Sequence, residues 1–433
     1  MMIGYYLDLA RRSLRRNKAL TVLMIVAIAF GVGASMTTLT VLHTLSADPI
    51  PQKSDHLFYV QLDPRTLLGY KPGEEPIEQT TRRDAEALLD QYKADRTAIM
   101  TGGSVAIEPK RADLPPFYSD GRWTSRDIFA MFDIHFLAGQ AWTVDDERDA
   151  ARVAVIGKPL AEKVFGRVDV VGQSLQVEGA VFRIVGVTEE WAPQPHFYDL
   201  ETGRFGKGDI LFIPWKTSRE LKLGHNGNMN CWRETADSEA YGAPCEWIQV
   251  WVELDSAAKV AAYHDYLVAY SEEERVAGHY ERAPNVRLRN VMEWLRFRQI
   301  VPDDAKLQTW IALGFLLVCL LNTVGLLLTK FLRRSGEIGV RRALGASKRS
   351  IFVQLLVEAG TIGFAGGLLG LGLAYLGLWA VRHQPTSFHD LPHLDMPMLG
   401  LTFALAVASS LLAGILPAWR GCQIAPAVQL KSH

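Results

Sequence analysis

The chain has 433 residues, 48% of them hydrophobic, with four cysteines and a formal net charge of −1. That length allows two or three structural units, and the balanced charge provides no basic excess for holding nucleic acid. The balance conceals an asymmetry, with 31 Lys/Arg against 42 Asp/Glu in residues 43–306 and 15 against 5 elsewhere, so the chain serves two environments.

In chain order, Arg11, Arg12, Arg15, Arg16 and Lys18 precede an apolar run at 19–42. Three more such runs follow at 307–329, 359–381 and 396–419, each of the four having 23 or 24 residues without a charged side chain. At 1.5 Å per residue this is roughly 35 Å, enough to cross a hydrocarbon core, so four transmembrane helices are predicted, the third taken from 351. Buried soluble helices are excluded by length and number. The first run is too long for a signal-peptide core and lacks a small-residue cleavage site, which predicts an anchor. Tyr5, Tyr6, Trp310, Trp379 and Trp419 stand near span ends, as interfacial aromatics do.

Flanking charge orients the spans. The link 330–350 carries Lys330, Arg333, Arg334, Arg341, Arg342, Lys348 and Arg349 against Glu337 alone, while the loop 382–395 has only Arg382 with Asp390 and Asp395. With Arg420 and Lys431 in the tail 420–433, the positive-inside rule places both termini and the 330–350 link in the cytoplasm, and 43–306 outside.

A segment as long as 43–306 requires its own fold. A β-branched run at 152–156, a helix at Pro159–Phe165 closed by Gly166, strands at 174–177 and 181–187 about a turn at Glu178-Gly179-Ala180, a strand at 247–254 and a helix from Ala257 to about Tyr270 mix without a βαβ period. The expectation is an α+β extracytoplasmic domain inserted between helices 1 and 2. Segments 61–80 and 192–245, rich in Gly, Pro and polar residues, are read as surface loops. Cys231 and Cys245 are the two cysteines outside the membrane and close in sequence, so an oxidising compartment would pair them; free thiols or an intermolecular bond are the alternatives. Cys319 and Cys422 are read as packing residues.

Within the basic link, Glu337–Leu344 has the pattern of a two-turn helix, with Ser335 as a cap and Gly345 as a stop. A helix this short is marginal alone and must rest on lipid headgroups or another protein. Gly363, Gly366, Gly367 and Gly370 form two overlapping G-x-x-x-G pairs in span 3, a pattern for close helix packing, and Gly372 adds a fifth glycine. Glu358, at the inner margin of that span, is placed to reach water or pair with an arginine. His389, Asp390, His393 and Asp395 crowd one outer loop; Pro392 between the histidines and the ordinary polarity of such loops favour no metal. The 433 residues contain no G-x-x-x-x-G-K-[ST] loop, no H-E-x-x-H and no G-x-S-x-G, so no catalytic site and no cofactor of its own are predicted. With only Asn322 and scattered hydroxyls inside the spans, secondary transport is disfavoured.

Four motifs in order resemble permeases of the MacB/FtsX type of ABC transporter. YLDLARRSLRRNKALTVLMIVAIAFGVG at 6–33 is similar to that family's start, a basic amphipathic helix (1–18) leading into span 1. Residues 124–187 (TSRDIFAMFDIHFLAGQ to VFRIVGV) resemble the MacB-like periplasmic core, GEIGVRRALGASKRSIFVQLLVEA at 336–359 the family's most specific signature, and ILPAWRGCQIAPAVQLK at 415–431 its ending, with Pro426 opening a short helix. The resemblance implies a bacterial inner-membrane permease in which the helix at 337–344 is a coupling helix seated on a separate ATPase subunit, which binds ATP and Mg. Glu337, Ile338, Gly339, Val340, Arg341, Arg342, Leu344 and Gly345 would form that contact, with Ile338, Val340 and Leu344 apolar and Arg341 and Arg342 facing acids or headgroups. It further implies a second permease, in a homo- or heterodimer surrounded by lipid, with an adaptor and an outer-membrane duct by analogy. The motion of the ATPases would pass mechanically to the periplasmic domain and expel peptides, antibiotics or other amphiphiles. The chain departs from MacB in having no fused ATPase domain within these residues. Two alternatives are a Lol-like lipoprotein-extracting permease, disfavoured by the core motif at 124–187, and an FtsX-like signalling subunit controlling periplasmic hydrolases, disfavoured by the size of 43–306.

Overall fold

The computed structural model describes residues 2–111, 113–383 and 396–423. The chain divides into two compact units, Met1–Ser46 with Val301–His433, and Ala47–Ile300.

The first unit is helical. An N-terminal helix, Met2–Arg16, precedes span 1 (Lys18–Ser46); span 2 (Asp303–Arg333), a connecting helix (Ser335–Ala343), span 3 (Lys348–Arg382) and span 4 (Met396–Cys422) follow. All four spans are long and apolar enough to cross a membrane. Met24, Ile28, Val32 and Met36, four residues apart, put one buried stripe of span 1 into a core shared with Leu316 and Leu327 of span 2, Ile362 and Ala374 of span 3, and Ala406 of span 4. The helices outrun their apolar runs. Span 2 continues through Lys330, and span 3 begins at Lys348, where the Ser347 side chain accepts the Ser350 N–H. The expected link 330–350 therefore contracts to the connecting helix and two short turns.

The second unit is an α+β domain on one mixed sheet. Its strands are β1 (Leu57–Gln61), β2 (Thr80–Thr81), β3 (Arg96–Glu108), β4 (Phe117–Thr124), β5 (Phe136–Gly139), β6 (Val153–Gly157), β7 (Ser174–Val177), β8 (Ala180–Thr188), β9 (Leu211–Pro214), β10 (Asn230–Cys231), β11 (Cys245–Glu253) and β12 (Arg287–Asn290). They run in the order β12-β1-β11-β3-β4-β9-β6-β8-β5; the β4–β9 and β6–β8 pairs are parallel, and β7 bridges β3 and β8. The tight β7–β8 turn is made by Glu178 and Gly179, both at positive φ. The central strands are buried on both faces. Phe58 and Val60 of β1, with Ile99 of β3 and Val250 and Val252 of β11, fill one core, while Leu57, Tyr59, Ala98, Met100 and Trp251 alternate into the other. Helix Lys158–Phe165 stops at Gly166, whose φ of +70° is a left-handed cap, and helix Ala257–Val276 runs past the expected end at Tyr270.

The segment 192–245 differs from its reading as a surface loop. Phe197, Tyr198 and Leu200 are buried in the second core, and β9, β10 and a helix at Trp215–Glu220 lie within it. Cys231 and Cys245 face each other across the β10–β11 pair and are bonded, closing a separation of 14 residues. Residues 384–395, with His389, Asp390, His393 and Asp395, fall outside the described residues, as does the tail from 424.

Candidate functional site

The connecting helix is entered from Arg334, and Ser335 is its first helical residue with no capping bond, in contrast to its expected role. Its far end closes as anticipated by the glycine. Gly345 takes φ +98°, its N–H bonds the Arg342 carbonyl at 3.1 Å, and the Ala346 N–H bonds the Arg341 carbonyl at 3.0 Å, which satisfies two otherwise open carbonyls.

This helix presents two faces. Val340 and Leu344 are 57% and 83% exposed, whereas Ile338 is only 6% exposed and joins the core of the spans with Phe331, Ile351 and Leu355. The expected grouping of Ile338 with Val340 and Leu344 as one contact surface is corrected by helix geometry. At about 100° per residue, Val340 lies roughly 200° from Ile338, while Leu344 lies only about 40° from Val340. Gly339 is also buried.

A chain of charges ties this helix to its neighbours. Glu358, 1% exposed, receives Lys330 Nζ at 2.7 Å and Arg334 Nη1 at 3.0 Å, and accepts the hydroxyl of Ser13 at 2.5 Å. Arg334 also donates to Ser13 Oγ at 2.7 Å and pairs with Glu337 at 3.2 Å. Glu337 receives Arg341 at 2.8 Å, and Arg341 donates to Gln354 of span 3 at 3.1 Å. Lys330 is fully buried and also reaches Thr21 of span 1 at 3.4 Å. Arg342 donates to the Cys422 carbonyl at the end of span 4 at 3.4 Å. Desolvating two such charges is costly and is offset only when hydrogen bonds complete the geometry, as they do here. Of the two expectations for Glu358, the pairing with an arginine is the one observed, through Arg334, while Lys330, counted among the bases of the cytoplasmic link, is instead buried as the second partner of Glu358. No local signal announces a pair 28 residues apart; a lone lysine ending an apolar run was the available hint.

The glycines of span 3 serve two neighbours inside this unit. A Cβ on Gly363 would lie 2.3 Å from Ser410 Cβ, and one on Gly367 2.9 Å from Ala406 Cβ, both on span 4. A Cβ on Gly366 would lie 2.8 Å from Ile28 Cγ2, and one on Gly370 3.2 Å from the Ala29 carbonyl, both on span 1. One G-x-x-x-G face thus seats span 4 and the other span 1.

The α+β domain holds a cleft of about 1,130 Å³ between β4, helix Lys158–Phe165 and the segment around 189–209. At its wall lies Arg122, 3% exposed, whose Nη1 donates to Asp199 at 2.5 Å and Nε to Asp209 at 3.0 Å, with its plane over the Tyr198 ring. Burial alone would raise the Asp199 carboxyl, but the Arg122 guanidinium and the Thr202 hydroxyl hold it below the usual range. Burial lowers His196, leaving it neutral near pH 7. Among the described residues no three His, Cys, Asp or Glu side chains converge as metal ligands.

Comparison with known proteins matches the chain in two stretches, the first of which includes most of span 1. A family model described as the MacB-like periplasmic core domain matches residues 21–270, and one described as the FtsX-like permease C-terminal matches 310–426. The macrolide export ATP-binding/permease protein MacB of Marinobacter nauticus is 26% identical over 442 residues, covering 98% of this chain and 60% of that protein. The pyoverdine export ATP-binding/permease protein PvdT of Pseudomonas fluorescens is 23% identical over 388 residues, covering 85% of this chain and 50% of that protein. Among solved structures, the periplasmic region of MacB from Actinobacillus actinomycetemcomitans aligns at 12% identity and a TM-score of 0.38, covering 58% of this chain and 95% of that one. The chain spans about 60% of the length of the MacB proteins it matches.

Proposed function

This chain belongs to the family of permeases that carry a MacB-like periplasmic core domain ahead of an FtsX-like C-terminal part, and we propose that it is the permease subunit of an ABC exporter whose ATPase is a separate polypeptide. In this reading both termini and the connecting helix lie in the cytoplasm of a bacterial cell with the protein in its inner membrane, and residues 43–306 lie in the periplasm. ATP and Mg are held by the partner. Two permeases pair, and ATP-driven closure of two ATPases moves the spans and, with them, the periplasmic domains that expel amphiphiles.

The observation that carries this reading is the two-faced connecting helix. Val340 and Leu344 offer an apolar handle, Ile338 packs the opposite side onto spans 2 and 3, and the Arg334–Glu337–Arg341 relay ties the flank of the helix to span 3. A push on the handle cannot be absorbed by a loose loop, because packed elements transmit displacement rather than dissipate it. Replacing Val340 and Leu344 together by Asp, both exposed, should leave the fold intact and abolish co-purification of an ATP-binding subunit and its coupled hydrolysis. Retention of that complex by the double variant would sink the proposal.

A further inference from the structure

The membrane unit carries a groove that the connecting helix does not use. It lies between spans 3 and 4, has a volume of about 440 Å³, and is lined by Val353, Leu356, Gly360 and Phe364 against Val407 and Leu411. The hydroxyl of Thr361, the one polar side chain in the lining, donates to the Glu358 carbonyl at 2.7 Å, so the wall is apolar throughout. Gly360 leaves the depression open, because a Cβ there would meet only Leu411 Cδ2, at 3.5 Å. The rings of Phe364 and of Phe403, one turn before Val407 on span 4, stand 6.0 Å apart and close one end. An apolar hollow left empty in a bilayer forfeits dispersion contacts along its whole lining, so it requires an occupant.

Length argues against a further helix. From Val353 to Phe364 the groove runs about 16 Å at 1.5 Å per residue, roughly half of a hydrocarbon core of about 30 Å. A partner's transmembrane helix would need a seat along the full width. A single acyl chain needs the depth of one leaflet, which is what this groove offers.

Charge identifies the head that such a chain carries. Arg349 precedes Val353 by one turn and, at about 100° per residue, lies within about 40° of Val353, Leu356 and Gly360, on the grooved face. It is exposed and makes no ion pair or hydrogen bond among the described residues, and Lys348 beside it is exposed as well. The described carboxylates at this end are already taken: Asp8 pairs with Arg12, Glu337 with Arg334 and Arg341, and Glu358 with Lys330 and Arg334. The counter-charge of Arg349 therefore comes from outside the unit, and a basic residue heading an interhelical groove suits an anionic headgroup.

We propose that spans 3 and 4 hold an acidic phospholipid from the leaflet at the basic end of the unit, one acyl chain in the groove and its phosphate on Arg349. The site stands apart from the ATPase contact and is testable without it.

The full chain, purified in mild detergent, is offered palmitoyl-oleoyl phosphatidylglycerol and the matching phosphatidylcholine in equal amounts, and native mass spectrometry counts the lipid retained. Wild type should prefer the acidic lipid about fivefold. Arg349→Gln, on an exposed side chain, should abolish most of that preference while a lipid is still held. Gly360→Leu, which fills the groove, should lose the retained lipid of either kind. Val353→Trp, which narrows the groove from an exposed position, should weaken retention too and keeps the test in force where Gly360→Leu does not fold. Equal retention of the two lipids by wild type, an unchanged preference in Arg349→Gln, or undiminished retention in the groove variants would each overturn the proposal. Loss of self-association by Gly360→Leu with lipid retention unchanged would overturn it in favour of a second copy of the chain.

Discussion

Glu358→Leu is the most informative perturbation of the membrane unit. The carboxylate is buried and holds Lys330 at 2.7 Å, Arg334 at 3.0 Å and Ser13 at 2.5 Å. Its removal strands the Lys330 ammonium, which is fully buried and left with only the 3.4 Å contact to Thr21. Breaking a buried pair from one side costs about 3–5 kcal/mol, chiefly through the uncompensated charge. Lys330→Met should cost less, about 1–2 kcal/mol, because Glu358 keeps Arg334 and Ser13. The double substitution leaves no orphan charge, since Arg334 retains Glu337. It should therefore cost about 2 kcal/mol rather than the sum, a coupling of at least about 2 kcal/mol. Denaturant unfolding of the four proteins in detergent micelles measures each value. A loss below about 1 kcal/mol for Glu358→Leu, or additivity in the double variant, would refute the buried-pair argument.

Three other outcomes follow from the same geometry. Gly363→Ala, whose new methyl would meet Ser410 Cβ at 2.3 Å, should lower stability by about 1–3 kcal/mol in the same assay, whereas Gly372→Ala, with nothing within 4 Å, should leave it unchanged or slightly raised. In the periplasmic domain, burial pushes the Glu246 and Glu147 carboxyls up to about 7, above the usual glutamate value of 4.5. Because the folded state then binds more protons between those values, the contribution of these groups is full below pH 4.5 and is lost as pH rises through about 7. Thermal unfolding followed by tryptophan fluorescence should show the domain less stable at about pH 8 than at about pH 5.5 by about 1–3 kcal/mol, and Glu246→Gln should flatten the slope.

The sequence made the spans legible because four long runs without charge have no other stable solution, and the G-x-x-x-G pairs announced close packing without naming the neighbours. The β7–β8 hairpin and the helix ending at Gly166 were readable because their punctuation is local: Glu178-Gly179 and Gly166 sit at positive φ. Strands β1 and β3 were missed for the opposite reason. Leu57–Val60 and Ala98–Met100 are buried on both faces, so the alternation that marks a half-exposed strand is absent. In 192–245 the Gly, Pro and polar content obscured Phe197 and Tyr198, which pack on Phe132, and Asp199, whose buried carboxylate is paired with Arg122, 77 residues earlier. The Lys330–Glu358 pair likewise lives in tertiary contact. At the candidate coupling site, the residues were identifiable from the motif, but their partition into an inward Ile338 and outward Val340 and Leu344 required the helix phase.

The central claim is that the outward face of the connecting helix is gripped by an ATPase. A photo-crosslinking amino acid placed singly at Ile338, Val340 and Leu344 in living cells tests it most directly, with adducts identified by mass spectrometry. The account predicts a crosslink from positions 340 and 344 to a protein bearing a phosphate-binding loop, and none from 338. Absence of that adduct at 344, or its appearance at 338, would contradict it.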